Sequence, residues 1–210
     1  MKKRLIPLFC TVVTGATLFA ADKTAKPPAN PLLKSDTVIW AGLDYSMVRM
    51  YGTMDFKEPE KIFPEMFDNW NGLFLTELVF HESARLQKAV GKTVKPEIEG
   101  MAARNKLAKT DQVIRQDGKF SEETHIKDSD IAEAVRSYKL TSTGGLGLVF
   151  IVDRLVKVEQ KGAVYLVFFD VATRDVLAQQ RVIVKAAGFG FRNFWFRVPK
   201  DALPRLKKLG

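Results

Sequence analysis

The chain is poor in the residues that do covalent and metal chemistry. Its 210 residues contain one cysteine, Cys10, and two histidines, His81 and His125. One thiol cannot form an internal disulfide, and a lone cysteine with two scattered histidines makes no Cys/His zinc module. Apolar stretches long enough to span a bilayer are also missing: the apolar, uncharged stretch Leu5 to Ala20 would rise only about 24 Å as a helix. The composition is otherwise ordinary, 46% hydrophobic and 27% charged. That balance excludes whole-chain disorder and suits a single globular domain able to bury its own core without staples.

The short apolar run follows Lys2, Lys3 and Arg4 and ends in Ala20, Ala21 and Asp22. A basic start, an apolar middle and a small-residue end is the order of a secretory signal peptide, expected over residues 1–20. Residues 21–35, with KTAKPPANP at their centre, read as an extended linker. A single α/β domain is expected over 36–210. Export with one cysteine inside the signal points to a bacterial periplasm or cell surface.

Charge is unevenly spread. The formal net charge is +9, of which residues 181–210 contribute +7, through eight bases and the one acid Asp201. The same segment contains Phe189, Phe191, Phe194, Trp195 and Phe196. Bases between aromatics suit anionic partners, through ion pairing and stacking. In an exported chain that means an envelope protein, a polymer or an anionic lipid headgroup, and no nucleic acid. The candidate contact residues are Phe189, Arg192, Asn193, Trp195 and Arg197, with Arg192, Trp195 and Arg197 as anchors because Trp and Arg dominate binding hot spots. FRNFWFRV is read as a further strand, and the glycines at the start of GFGFRNFWFR suit a bulge or a structural corner.

Catalytic patterns were tested and failed. His81-Glu82 is followed by Arg85, so the second ligand of HExxH is missing. The QDGK stretch lacks the oxygen ligands of an EF-hand, Gly144, Gly145 and Gly147 precede no GK[ST], and no GxSxG elbow occurs. Neither cofactor nor metal is expected. Two alternatives to a binding module stay open: an exported hydrolase assembling a carboxylate/His site around His81 or His125, and a lipophilic-ligand carrier whose pocket is lined by helical Phe and Trp.

The pattern predicts a β-rich start at TVIWAGL, then helical spacing of Phe67, Trp70, Phe74, Leu78, Leu86 and Val90 ending at Gly91. Thr93 to Lys109 suggests a second short helix broken by Pro96 and Gly100, and Gln112 to Ile114 a short strand. A helix over IAEAVRSYKL is introduced by Asp128 and Asp130. Three strongly β segments follow: Leu146 to Val158, Ala163 to Phe169 and Val176 to Ala186. They predict a C-terminal antiparallel meander, hence an α/β fold with a mixed sheet and helices packed on it.

The stretch IAEAVRSYKL…GLGLVFIVDRLVKVEQKGAVYLVFFDVATRDVLAQQRV carries YxxxFxD followed by TxxVL. It resembles the C-terminal sheet of periplasmic α/β domains of the curli-secretion lipoprotein and penicillin-binding-protein activator class. With IWAGLDYS and GFGFRNFW, the whole chain also resembles small exported bacterial envelope proteins. Both resemblances imply an exported protein of the bacterial envelope.

Overall fold

A computed structural model describes residues 30–80, 85–116 and 118–209; the side chains of 78–80 are not described. The expected signal peptide and most of the linker, with His81 and Glu82, lie outside those residues. Ordered structure starts ahead of Asp36, in a 3-10 turn at Pro31–Lys34 whose preceding Asn30 accepts a hydrogen bond from the Leu32 amide at 2.9 Å.

In chain order the elements are β1 (Thr37–Asp44), β2 (Arg49–Tyr51), α1 (Phe67–Phe74), α2 (Arg85–Val90), β3 (Thr93–Pro96) and α3 (Glu99–Asn105). Then come α4 (Thr110–Val113), β4 (Ile114–Arg115), α5 (Asp128–Ser137), β5 (Leu146–Val156), β6 (Lys161–Asp170), β7 (Val176–Lys185), α6 (Gly190–Ala202) and α7 (Leu206–Leu209). The seven strands form one mixed sheet, so the α/β class expected from the sequence describes the fold.

The pairing differs from a plain meander. β5–β6 and β6–β7 are antiparallel, but β1–β3, β1–β5, β2–β4 and β2–β5 are parallel. Most strand pairings are thus parallel. The reason is physical: parallel partners come from distant segments through crossovers, which no local turn signal announces. β6 occupies one edge of β5 along its whole length. On the other edge β1 pairs with Leu146 to Ile151 and β2 with Arg154 to Val156. β1 and β2 therefore act as one interrupted strand, broken at Tyr45 to Val48.

Every residue of β5 is buried, as expected of a central strand covered on both faces. One face packs on α1, α2 and α6 through Trp40, Trp70, Phe74, Phe150, Phe194 and Trp195, among others. The second face packs on α5, through Ile131, Val135, Tyr138, Val149, Val167 and Phe169. Phe67, Trp70 and Phe74 do share a buried helical face, and Leu86 is buried beyond them. Gly91 stops α2 with φ 68°, its amide bonding the Gln87 carbonyl at 2.8 Å. Asp130 bonds the Lys127 amide at 2.8 Å and so caps α5. Among the described residues no helix is long and apolar enough to cross a membrane.

α3 sits tightly on the end of α5. A β-carbon at Gly100 would lie 2.2 Å from the Lys139 carbonyl oxygen and 2.9 Å from its amide nitrogen. Both obstacles are backbone, so they cannot rotate away. Gly100→Ala is expected to destabilise by about 1–3 kcal/mol, although alanine ordinarily favours a helix by about 1 kcal/mol over glycine. Thermal denaturation checks this, and a raised melting temperature would show that the contact yields.

Candidate functional site

The C-terminal aromatic–basic segment is a helix. In α6 the buried residues are Phe191, Phe194, Trp195, Val198, Pro199 and Ala202, an i, i+3, i+4, i+7, i+8, i+11 stripe facing the sheet. The strand expected over FRNFWFRV is thereby corrected to a helix. Bulky β-prone aromatics and Pro199 disguise a helical period that the apolar spacing nonetheless carries.

The structure divides the five candidate residues. Trp195 is fully buried and packs edge-on against Phe194 at 4.7 Å between ring centroids. It holds α6 to the body and presents nothing to a partner, so its expected role as a contact anchor is replaced by a packing role. Arg192, Asn193 and Arg197 are exposed on the outer face of α6. Arg197 is within 3.6 Å of Asp201, one turn on, in a solvent-screened pair. Phe189 is 94% exposed, the largest value among the exposed large apolar side chains. Gly188 and Gly190 flank it with φ of 135° and 69°, left-handed backbone that a side chain rarely adopts. The chain thus turns sharply on either side and leaves an aromatic ring projecting at the start of a basic helix face. Lys200 on α6, Arg205 beyond it, and Lys207 and Lys208 on α7 extend the basic face; Arg205, Lys207 and Lys208 are exposed.

The interruption between β1 and β2 builds a polar region that sequence reasoning missed. Asp44 ends β1 fully buried; it accepts from the Tyr138 hydroxyl at 2.6 Å and from the Ser46 amide at 2.8 Å, with Arg104 Nε 3.4 Å away. Burial, then the Asp44 charge, raises the Tyr138 pKa well above its ordinary value, so it stays a donor. Asn105 clamps the break, bonding the Tyr45 amide at 2.9 Å and the Leu43 carbonyl at 3.1 Å. The Tyr45 hydroxyl donates to Asp68, and burial together with that carboxylate raises its pKa too. Beside them lies a cleft of about 510 Å³ lined by Tyr45, Phe63, Asp68, Lys106 and Lys109, among others. The aromatics expected to line a carrier pocket, Phe67, Trp70 and Phe74, are instead packed in the core.

Opposite the break, β5 carries one extra residue at Asp153, where its register with β6 shifts. Arg181 donates from Nε to Asp153 Oδ2 at 2.6 Å, and His125 Nδ1 lies 3.0 Å from Oδ1. The other His125 nitrogen is 2.8 Å from the Met47 carbonyl, which ties the loop before α5 to the strand break. Burial opposes ionisation of Asp153, but His125 and Arg181 more than offset it and hold its pKa below the ordinary carboxylate value. A general base needs a free ring nitrogen aimed at a nucleophile. His125 has one nitrogen against a carboxylate and the other on a backbone carbonyl, so the geometry a hydrolase needs is not formed at this histidine. Among the described residues no three metal-ligating side chains cluster.

No protein-family model, curated protein or solved structure matches the chain.

Proposed function

We propose that the chain is an exported accessory protein that docks on an anionic component of the bacterial envelope through the outer face of α6. The observation that carries this reading is Phe189, almost wholly exposed between two left-handed glycines and followed by Arg192. A solitary projecting ring beside bases suits a lipid headgroup surface: the ring enters the interface while Arg192, Lys207 and Lys208 stay with the phosphates. Further support comes from the signal-like start and from the resemblance of the C-terminal sheet to periplasmic domains. Residues 181–210 supply the attraction at a distance, since their +7 exceeds the charge of the rest of the mature chain.

The test is co-sedimentation of the purified protein with vesicles of phosphatidylglycerol or of phosphatidylcholine. Binding is expected only to the anionic vesicles and should weaken roughly tenfold in Phe189→Ser and in Arg192→Gln, each with an unchanged melting temperature. Equal binding by both variants would remove α6 from the contact. Absence of vesicle binding, with a protein captured by in-cell crosslinking and lost in the same variants, would move the partner from lipid to protein.

A further inference from the structure

A second charged site lies on the sheet face opposite α6 and is independent of the docking reading. Arg49 of β2 and Arg154 of β5 are partners in the parallel register. Arg115 of β4 is the partner of Tyr51, two residues beyond Arg49. Met50 and Leu155 point into the core beneath α1 and α6, so strand alternation turns the three arginines to the other face together.

Like charges at neighbouring cross-strand positions destabilise a sheet. The cost is sharpened at Arg154, which is 7% exposed and whose Nε has no hydrogen-bond partner among the described residues. Among the described residues no carboxylate comes within ion-pair distance of Arg49, Arg115 or Arg154. Of the described acids nearby, Asp153 is committed to Arg181 and His125, while Asp130 gives one oxygen to the Lys127 amide and has only a 3.5 Å contact from the Ser129 hydroxyl at the other. Arg115 makes one long contact, 3.4 Å to the Asp111 carbonyl. Arg49 and Arg115 line a cavity of about 310 Å³ whose wall also includes Ser46, Gln112, His125 and the carboxylate-bearing Asp130.

Among the described residues, three guanidinium groups on three adjacent strands, one of them buried, have no carboxylate within ion-pair distance. We infer that this cavity binds a small phosphate-class oxyanion, with Arg49 and Arg115 as direct ligands and Arg154 as the buried positive charge behind them. The planar fork of arginine matches phosphate oxygens in pairs, and a dianion fits a cluster of this charge better than a single carboxylate does.

Isothermal titration with inorganic phosphate, and separately with glycerol 3-phosphate, against chloride at matched ionic strength tests the site in the whole protein. One anion should bind per chain. Arg49→Gln and Arg115→Gln should each weaken binding at least about tenfold, whereas Lys88→Gln, at an exposed position on α2, should leave it unchanged. Arg154→Met should fold, melt higher than wild type without anion, and lose stabilisation by phosphate. Tighter binding of glycerol 3-phosphate would support a phosphomonoester as occupant, and equal binding would support free phosphate. No binding of either anion at about 10 mM, equal binding by the arginine variants, or equal weakening by the lysine variant would each overturn the site.

Discussion

Trp195→Ala is expected to lower stability by about 3–5 kcal/mol, one of the largest losses any single substitution in this chain should produce. The side chain is fully buried under α6, against Phe194 and near Phe56, whose ring centroid is 6.3 Å away. Its indole nitrogen has no hydrogen-bond partner, so the loss is one of apolar burial and packing rather than of a polar link. Trp195→Phe should therefore recover more than half of it, by refilling most of the cavity. Chemical denaturation measures both, and the alanine variant should melt about 10 °C or more below wild type. A loss under about 1 kcal/mol would mean that α6 is not held by this residue. The same experiment separates packing from contact. Any loss of partner binding in Trp195→Ala should track unfolding, whereas loss in Phe189→Ser should occur with the fold intact.

That contrast shows how far the sequence could be read. Trp195 and Phe189 belong to the same short motif, and composition alone gives both the same claim to a binding role. Apolar spacing separates them: Phe191, Phe194, Trp195 and Val198 fall on one helical stripe, and Phe189 falls off it. Reading FRNFWFRV with a strand's period hid that stripe. The three C-terminal strand segments, α5 with its Asp130 cap and the stop at Gly91 were legible because each depends on residues within a few positions of one another. TVIWAGL was legible as a strand too, but the parallel pairing was not. β1 meets β5 more than a hundred residues later, and the two-residue β4 has no pattern of its own. The same limit applies to the polar groups: Asp44 with Tyr138, and Asp153 with Arg181, are pairings made only by the crossover topology. The adjacent charges Asp153 and Arg154 inside the apolar run LGLVFIVDRLVKV were the one visible sign. Asp153 and Arg154 interrupt a strand that is otherwise apolar through Val156, and a bulge lies there.

Asp153→Ala should cost about 3–5 kcal/mol, because it leaves Arg181 and His125 facing an uncompensated interior beside the buried Arg154. Arg181 does more than neutralise Asp153: its terminal nitrogens bond the Glu122 carbonyl at 2.6 Å and the Ser121 carbonyl at 3.3 Å. Releasing the guanidinium from the sheet therefore also loosens the segment that covers this face before α5. Hydrogen exchange should show that loosening at residues 120–126 before it reaches β5 and β6. Protonation removes the same charge without a mutation. The folded carboxyl has a pKa below its ordinary value, so the native state binds its proton less readily than the unfolded chain. The stabilisation is complete above about pH 5 and is lost as pH falls below about 4, through the folded pKa. Wild type should accordingly lose more stability than Asp153→Ala between about pH 6 and pH 3, since the variant has no carboxylate left to protonate there. Parallel stability–pH curves for the two proteins would assign that acid sensitivity elsewhere. Converging curves would place it at this bulge, where the interrupted strand, the covering segment and β7 are joined through one carboxylate.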